Sequence, residues 1–341
     1  MGNPLAPLVR IKRKAAAVTR DMIGVHSMPV FEAAQSHHHR PASILDLRLR
    51  ALRWRLSQRT LTGQTRTFLQ FAGFPRSGHS LIGSLIDAHP EAIVSHELDT
   101  MGLVDKGWSR RNILALIASE SAAFMEHGRY WNGFSYVVPK QFNGRADTPV
   151  LVGDKKGDWA VRRIESEPTL LDKLHRTMRM QCKWVLVVRN PFDNIATMSL
   201  RRGGAYDRLR ISAPDGATFH KRLAAEKGRS VAEHADDDMI ADFIGLCRGV
   251  ASLQEQVAPE NWLAIGYERF TQEPEAGLRP ILSFLELEDR DGFVADAASI
   301  VREGGNRSRH SVAWSPGQID RVREAIAEFD FLSLAEPGEP A

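Results

Sequence analysis

Cysteine and long apolar runs are what this sequence has least of. Its 341 residues include only two cysteines, Cys182 and Cys247, which excludes a disulfide framework and is typical of a reducing compartment. No apolar run approaches the ~20 residues that a membrane-spanning helix needs. The short apolar stretch 15–18 is broken at once by residues 19–21, so a secretory signal peptide is not predicted. We therefore expect a cytoplasmic protein.

A strong net charge is absent as well, since the formal net charge at pH 7 is only +3. Hydrophobic residues make up 43% of the chain and charged residues 26%, proportions typical of a soluble globular protein with a substantial core. The length fits one large α/β domain with appendages, or two small domains. Neither a nucleic-acid partner nor a metal site is expected, and the oligomeric state is left open.

The first 66 residues divide into two segments. Residues 1–41 carry prolines, scattered basic residues and the triplet His37–His39, which indicates a loosely ordered basic arm with a solvated histidine run. Residues 42–66 predict a basic amphipathic helix. Its leucines and arginines take different faces: Leu45, Leu49, Leu52 and Leu56 against Arg48, Arg55 and Arg59. We expect the leucines to pack onto the protein's own domain, with a peripheral membrane contact through residues 42–60 as the alternative.

The strongest functional signal begins at Thr67. An apolar run over 68–74 predicts a buried strand, Gly73-Phe-Pro-Arg-Ser-Gly78 predicts a turn, and apolar residues then recur at helical spacing. A strand, a glycine-bounded loop and a helix in this order form an anion site, because backbone N–H groups and the helix N-terminus converge on the loop. The spacing Gly73-x-x-x-x-Gly78-x-Ser80 matches the nucleotide P-loop except that His79 replaces its lysine. A phosphate-type ligand is therefore predicted, but not an ordinary nucleoside triphosphate.

The segment Phe74-Pro-Arg-Ser-Gly-His-Ser80, continuing into Leu85-Ile-Asp-Ala-His-Pro90, resembles the 5′-phosphosulfate loop of sulfotransferases. It is most similar to the Pro-Arg-Ser-Gly-Thr-Thr form of the tyrosylprotein and bacterial enzymes. The resemblance implies a cofactor, 3′-phosphoadenosine 5′-phosphosulfate (PAPS), bound by Arg76, Ser77, Gly78, His79 and Ser80. Arg76 would also stabilise charge on the leaving phosphate. His79 stands where the family has its first threonine, so one hydroxyl ligand is lost.

Strands that alternate with helices predict the fold class: an α/β, P-loop-like three-layer αβα domain with a central parallel sheet. We assign it to residues 67–335, with acceptor-side insertions at about 99–147 and 203–235. The aromatic stretch Tyr130–Tyr136 suits the wall of an acceptor pocket, although aromatic loop packing explains it equally well. Reactive groups follow several strands, and the carboxyl ends of parallel strands are where ligands bind.

Arg189-Asn190-Pro191 with Thr197 resembles the family's 3′-phosphate motif, with Ser199 as a nearby alternative hydroxyl. An arginine offers a bidentate fork to phosphate, and Thr197 falls about two turns into the helix expected after Pro191. The competing interpretation is an ordinary ion pair between Arg189 and Asp193.

The remaining candidates follow other predicted strands. A base must take the proton of the acceptor, and the resemblance places it at Glu97 or at His96, of which we favour Glu97. Lys155 matches a lysine that assists the sulfuryl group, and its neighbour Lys156 competes for that assignment. Arg307 and Arg309 lie in a glycine- and arginine-rich tail that suits a loop over the nucleotide.

Together these residues predict a PAPS-dependent sulfotransferase. Its acceptor would be a hydroxyl or amine of an unidentified small molecule, glycan or lipid, with a carbohydrate as one candidate. The strongest rival is a P-loop kinase or NTPase, with Asp154 at the end of its Mg²⁺-binding strand, and the missing Gly-Lys dipeptide counts against it. A third alternative is a catalytically inactive module that binds anions or membranes.

Overall fold

A parallel sheet of five strands forms the centre of the computed structural model, which describes residues 43–57, 61, 63–131, 134–204, 233–303 and 307–340. The predicted arm 1–41 and most of the predicted insertion 203–235 lie outside the described residues. The strands of this sheet are β1 (Thr67–Gly73), β2 (Ala92–Ser95), β5 (Leu151–Asp154), β6 (Gln181–Val188) and β8 (Trp262–Gly266). Two separate pairs are formed by β3 (Tyr130–Trp131) with β4 (Phe134–Ser135), and by β7 (Glu233–His234) with β9 (Val312–Ala313).

Helices precede, separate and follow these strands along the chain. They are α1 (Ile44–Ser57), α2 (His79–Asp87), α3 (Thr100–Asp105), α4 (Arg110–Glu126), α5 (Gly157–Ser166), α6 (Leu170–Met178), α7 (Pro191–Arg202), α8 (Asp237–Gln256), α9 (Tyr267–Gln272), α10 (Pro274–Leu285), α11 (Phe293–Ala298) and α12 (Pro316–Glu328). Of the described helices, none combines the length and the apolar composition that crossing a membrane requires.

The central strand β1 is buried along its whole length and contributes to a core on each face of the sheet. Phe68 and Ala72 belong to one apolar cluster, whereas Leu69 and Phe71 belong to the other. This alternation follows from the two-residue period of a strand. A sheet that is buried on both faces by helices is the predicted three-layer α/β class, which is confirmed.

The strands lie in the order β2-β5-β1-β6-β8, and every neighbouring pair is parallel. From β1 the chain fills one side of the sheet with β2 and β5, and then crosses to the other side with β6 and β8. The strand order therefore reverses at β1, and ligands of open α/β sheets bind at the carboxyl ends of strands at such a reversal. The loop after β1 occupies this position.

Helix α1 corrects the expectation for its leucines. The four predicted packing residues are exposed: Leu45, Leu49, Leu52 and Leu56. Instead, Ala51 is buried, and Leu47 and Trp54 pack against the main core. Both sets recur at helical spacing, and the side chain of Ala51 is small enough to let α1 approach α4 closely. Periodicity alone could not decide which of the two apolar faces turns inward.

Candidate active site

The loop after β1, residues 74–80, is called the phosphate loop below. It turns sharply because Arg76 and Gly78 both have positive φ angles, 70° and 103°. At Gly78 only glycine fits, since an added Cβ would overlap the ring of Tyr267. Tyr267 follows β8, so the loop is wedged against a residue from the other half of the sheet.

Helix α2 begins at the end of this loop, with Gly78 as its N-cap and no side chain among the described residues capping it. The first N–H groups of any helix lack an intrahelical acceptor. Here they belong to His79 and Ser80, and the helix dipole adds positive potential at the same place. The start of α2 is therefore built to receive an anion.

His79 brings no charge to the phosphate loop. Its side chain is buried, and burial together with the nearby Lys155 lowers its pKa to about 3. The ring Nδ1 lies 3.5 Å from Ser77 Oγ. His79 is neutral at physiological pH, so the cations around the loop must come from elsewhere.

Lys155 supplies one of these cations from the carboxyl end of β5. Its side chain is fully buried, and its ammonium donates to Ser80 Oγ at 3.1 Å and to Glu97 Oε1 at 2.5 Å. The second oxygen of Glu97 pairs with Lys156. Glu97, Lys155 and Lys156 are called the lysine cluster below.

The lysine cluster fixes the protonation of its members. Burial alone would raise the pKa of Glu97, but the two ammonium groups outweigh it and hold that pKa well below its usual range. Burial lowers the pKa of Lys155, and Glu97 opposes that shift. Glu97 is therefore a carboxylate at neutral pH, in direct contact with Lys155 and Lys156.

His96 and Glu97 lie in different surroundings, although they are adjacent after β2. The buried ring of His96 stacks on Phe124 at 4.2 Å between centroids and meets Trp131 edge-on at 4.7 Å. Glu97 instead reaches the lysine that contacts Ser80. The geometry brings Glu97 toward the phosphate loop and His96 into an aromatic layer.

Asp154, the residue that a kinase or NTPase would use for Mg²⁺, has both carboxylate oxygens engaged by the chain. Oδ1 accepts from Ser95 Oγ and from the N–H of Leu98, and Oδ2 accepts from the N–H of Thr100 at 2.6 Å. These bonds close the turn that carries Glu97. Asp154 thus positions that turn.

A second cluster forms at the end of β6 and the first turns of α7. Arg189 donates from one guanidinium nitrogen to Thr197 Oγ1 at 3.2 Å and to the carbonyl oxygen of Arg76 at 3.1 Å. Thr197 Oγ1 donates to the carbonyl oxygen of Asp193 at 2.8 Å and lies 3.0 Å from Ser308 Oγ, within hydrogen-bonding distance. Arg189, Thr197 and Ser308 are called the arginine cluster below. Its bond to Arg76 joins it directly to the phosphate loop.

The two arginines of the tail take different positions. Arg309 is buried, pairs with Asp193 at 3.3 Å and donates to the carbonyl oxygen of Gly338. Arg307 is 65% exposed and lies 3.4 Å from Glu336. Arg309 thereby anchors Ser308 beside Thr197, and Asp193 is occupied by Arg309.

Strands β3 and β4 of the aromatic stretch pair in antiparallel fashion, and Tyr136 follows β4 close to Arg76 of the phosphate loop. Burial raises the pKa of Tyr136, which also feels the charge of Arg76. The guanidinium of Arg302 lies 5.2 Å from the ring centroid of Phe134. An aromatic and cationic wall therefore adjoins the loop on the side expected for the acceptor.

No sequence motif predicted Ser308 or Tyr267 as a site residue. Tyr267 could have been found, because it follows a strand of the sheet as Arg76, Glu97, Lys155 and Arg189 do. Ser308 stands between two predicted arginines, but its bond to Thr197 spans 111 positions. No local pattern carries information about such a contact.

No protein-family model and no curated protein sequence matches this chain. Similar solved structures include a sulfotransferase domain of the Synechococcus PCC 7002 olefin synthase (14% identity, 84% of this chain and 94% of that one, TM-score 0.38). Others are the sulfotransferase STF9 of Mycobacterium avium (11%, 84% and 83%, 0.44) and the mouse sulfotransferase SULT7A1 complexed with PAP (16%, 78% and 84%, 0.33). Likenesses this weak carry no argument about function, which has to rest on the site itself.

Proposed function

We propose that this protein transfers a sulfuryl group from PAPS to a hydroxyl or amine of an acceptor. The observation that carries the proposal is the bond between Arg189 and the carbonyl oxygen of Arg76. It joins two anion-binding clusters at one edge of the sheet. A nucleotide with anionic groups at both its 5′ and 3′ positions requires two such clusters side by side.

The residues present fit the two ends of PAPS. The open N–H groups at the start of α2, with Lys155 beside Ser80, would hold the phosphosulfate. The fork of Arg189 with the hydroxyls of Thr197 and Ser308 would hold the 3′-phosphate. Between the clusters, the ring of Tyr267 lies 5.9 Å from the guanidinium of Arg189.

When bound, PAPS would supply an activated sulfuryl group, and the protein would position the reactants and stabilise charge. Arg76 and Lys155 would stabilise the negative charge that collects on the leaving phosphate. Glu97 would accept the proton of the acceptor, as the ionised carboxylate that reaches toward the loop. To do so it must exchange a lysine contact for one with the acceptor.

The rival function, a P-loop kinase or NTPase, fits the same residues less well. His79 is neutral where those enzymes use a lysine on the phosphates. The carboxylate of Asp154, their expected Mg²⁺ ligand, accepts four hydrogen bonds from the chain. Both observations favour a nucleotide that needs no metal bridge.

Calorimetry with adenosine 3′,5′-bisphosphate (PAP) and ADP tests the proposal. Both ligands carry two phosphates, but the second phosphate is attached at the 3′ position in PAP and to the 5′-phosphate in ADP. We expect PAP to bind at least about tenfold more tightly than ADP or ATP, with EDTA leaving its affinity unchanged. ATP binding of equal strength that depends on magnesium would overturn the proposal. Labelled PAPS offered with panels of glycans, lipids and phenols would then identify the acceptor.

A further inference from the structure

Helix α1 turns a row of leucines away from the protein. Leu45, Leu49, Leu52 and Leu56 are exposed by between 41% and 80%, and their 4-3-4 spacing places them on one side of the helix. We call these four residues the leucine face. Scattered exposed leucines need no explanation, whereas four aligned ones on one helix indicate a surface that contacts something.

The opposite side of α1 fixes the helix to the domain. Leu47, Ala51 and Trp54 pack inward. Arg50 pairs with Glu120 at 2.6 Å, and Arg55 donates to Asn112 Oδ1 at 3.0 Å. Both partners belong to α4, which packs against the sheet. The leucine face is therefore held outward by the fold.

Two exposed arginines border the leucine face. With 100° per residue, Arg48 and Arg53 lie roughly 70° to either side of its centre. Asp46 is the only acidic residue of the helix. An apolar stripe with cations along both margins matches an amphipathic helix that lies in the interface of an anionic bilayer.

The same charges disfavour two other partners that could cover the leucine face, a second copy of the chain and residues 1–41. The leucine spacing would allow a parallel coiled coil with a second copy, but Arg48 and Arg53 would then occupy the flanking positions where unlike charges are needed. Residues 1–41 contain six arginines and lysines and only two acidic residues. That segment would bring further positive charge to the same margins. Phospholipid headgroups bring the opposite charge.

We propose that the leucine face docks this protein on the surface of an anionic phospholipid membrane, with α1 parallel to the bilayer. The leucines enter the boundary between headgroups and acyl chains, and Arg48 and Arg53 pair with lipid phosphates. The inference does not depend on the reaction proposed above. It concerns where the protein acts.

Sedimentation of the full chain with vesicles tests the proposal. The probes are vesicles of phosphatidylcholine alone and vesicles in which about a third of the lipid is phosphatidylserine. We expect at least about tenfold stronger binding to the anionic vesicles, weakened by salt. Leu49→Ser/Leu52→Ser should remove binding to both, and Arg48→Gln/Arg53→Gln should remove mainly the preference for anionic lipid. Leu334→Ser, at another exposed leucine, and Arg321→Gln, at another exposed arginine, are the matched controls.

Three outcomes would overturn the proposal. The first is equal binding of the wild type and of Leu49→Ser/Leu52→Ser to anionic vesicles. The second is an absence of vesicle binding together with a dimer that this variant converts to a monomer, which assigns the face to a second copy. The third is vesicle binding only after residues 1–41 are deleted, which assigns the face to that segment. Thermal unfolding shows whether each variant is folded, and a surface substitution should leave it nearly unchanged.

Discussion

In the lysine cluster two ammonium groups share the carboxylate of Glu97, whereas in the arginine cluster Arg189 donates to the neutral oxygens of Thr197 and Arg76. Both lie at the same edge of the sheet, one on each side of β1. Part of the positive charge in the first cluster is compensated within the protein. In the second, a hydroxyl and a backbone carbonyl oxygen orient the guanidinium of Arg189.

This difference predicts different functional roles for the two clusters. A compensated cluster binds an anion less strongly, but it keeps an ionised carboxylate beside the place where the sulfuryl group would lie. Thr197 and the carbonyl oxygen of Arg76 orient the guanidinium of Arg189, whose fork can bind a phosphate through two hydrogen bonds, and this favours affinity. We therefore expect the lysine cluster to govern turnover and the arginine cluster to govern the affinity for the nucleotide. Substitutions can test each half of that statement.

The largest effect is expected for Glu97→Gln. The amide keeps the shape of the side chain but cannot accept the proton of the acceptor, so turnover of labelled PAPS should fall by about 10²- to 10⁴-fold. Affinity for PAP should stay the same or increase, since Lys155 and Lys156 lose their internal counter-charge. Calorimetry and single-turnover kinetics measure the two quantities separately.

The matched variant for Glu97→Gln is His96→Asn, at the neighbouring residue in the aromatic layer. It should lower turnover less. If His96→Asn is inactive while Glu97→Gln keeps nearly normal turnover, the base is His96 and the division between the clusters is wrong.

Arg189→Ala should have the next largest effect, and it should act on binding. Loss of a charged hydrogen-bonding partner costs roughly 2–3 kcal/mol, or about 30- to 150-fold in the affinity for PAP. Adenosine 5′-phosphosulfate, which lacks the 3′-phosphate, should lose much less. Arg202→Ala, at a partly exposed arginine of the same helix α7, is the control. If Arg189→Ala weakens the binding of both ligands equally, Arg189 does not contact the 3′-phosphate.

Thr197→Val tests the hydroxyl of the arginine cluster with a smaller expected effect. Valine keeps the branched shape but removes the hydroxyl that contacts Arg189, Asp193 O and Ser308. The hydrogen bond that this hydroxyl would make to the 3′-phosphate is worth about 0.5–1.5 kcal/mol, or about 2- to 12-fold in PAP affinity. Ser199→Ala, at the alternative hydroxyl, should leave that affinity unchanged, because Ser199 Oγ accepts from the N–H of Asp236, whereas Thr197 Oγ1 accepts from Arg189. A larger loss of PAP affinity for Ser199→Ala than for Thr197→Val would assign the 3′-phosphate contact to Ser199.

The smallest effect concerns His79 and the pH dependence of stability. Its pKa is about 3 in the folded protein and 6.5 as a free side chain, so between these values the unfolded chain binds the additional proton. Stability should therefore fall as the pH drops below 6.5, by up to about 1.4 kcal/mol per pH unit from this residue. His79→Thr should remove that part of the slope in urea unfolding at pH 7.5, 6.5 and 5.5.

The exposed His175 offers the control for His79, because His175→Thr removes a histidine from the surface of α6. Its unfolding curves should follow those of the wild type across the same pH range. A wild-type slope that His79→Thr leaves unchanged would mean that His79 gains its proton over the same pH range in the folded and the unfolded protein. Below that range the phosphate loop would then carry a second cation besides Arg76.

Local patterns in the sequence predicted the fold class and the residues after β1, β2, β5 and β6, because strand, turn and helix signals act over a few positions. They did not predict that Glu97 would hold both lysines, since that contact depends on how β2 and β5 align in the sheet. They also favoured the wrong face of α1. There, Leu47, Ala51 and Trp54 recur with the same helical period as the leucine face, and only the fit against α4 decides between them.

The bond between Thr197 and Ser308 has a consequence for synthesis on the ribosome. It joins residues 111 positions apart, and the bond from Arg189 to the phosphate loop spans 113. At about 5–20 residues per second, about 10 to 50 seconds pass between the emergence of Arg76 and that of Ser308. A nascent chain that stops short of Ser308 can form β1 and its loop but lacks part of the arginine cluster. With the proposed nucleotide site, tight binding of PAP would therefore distinguish finished chains from unfinished ones.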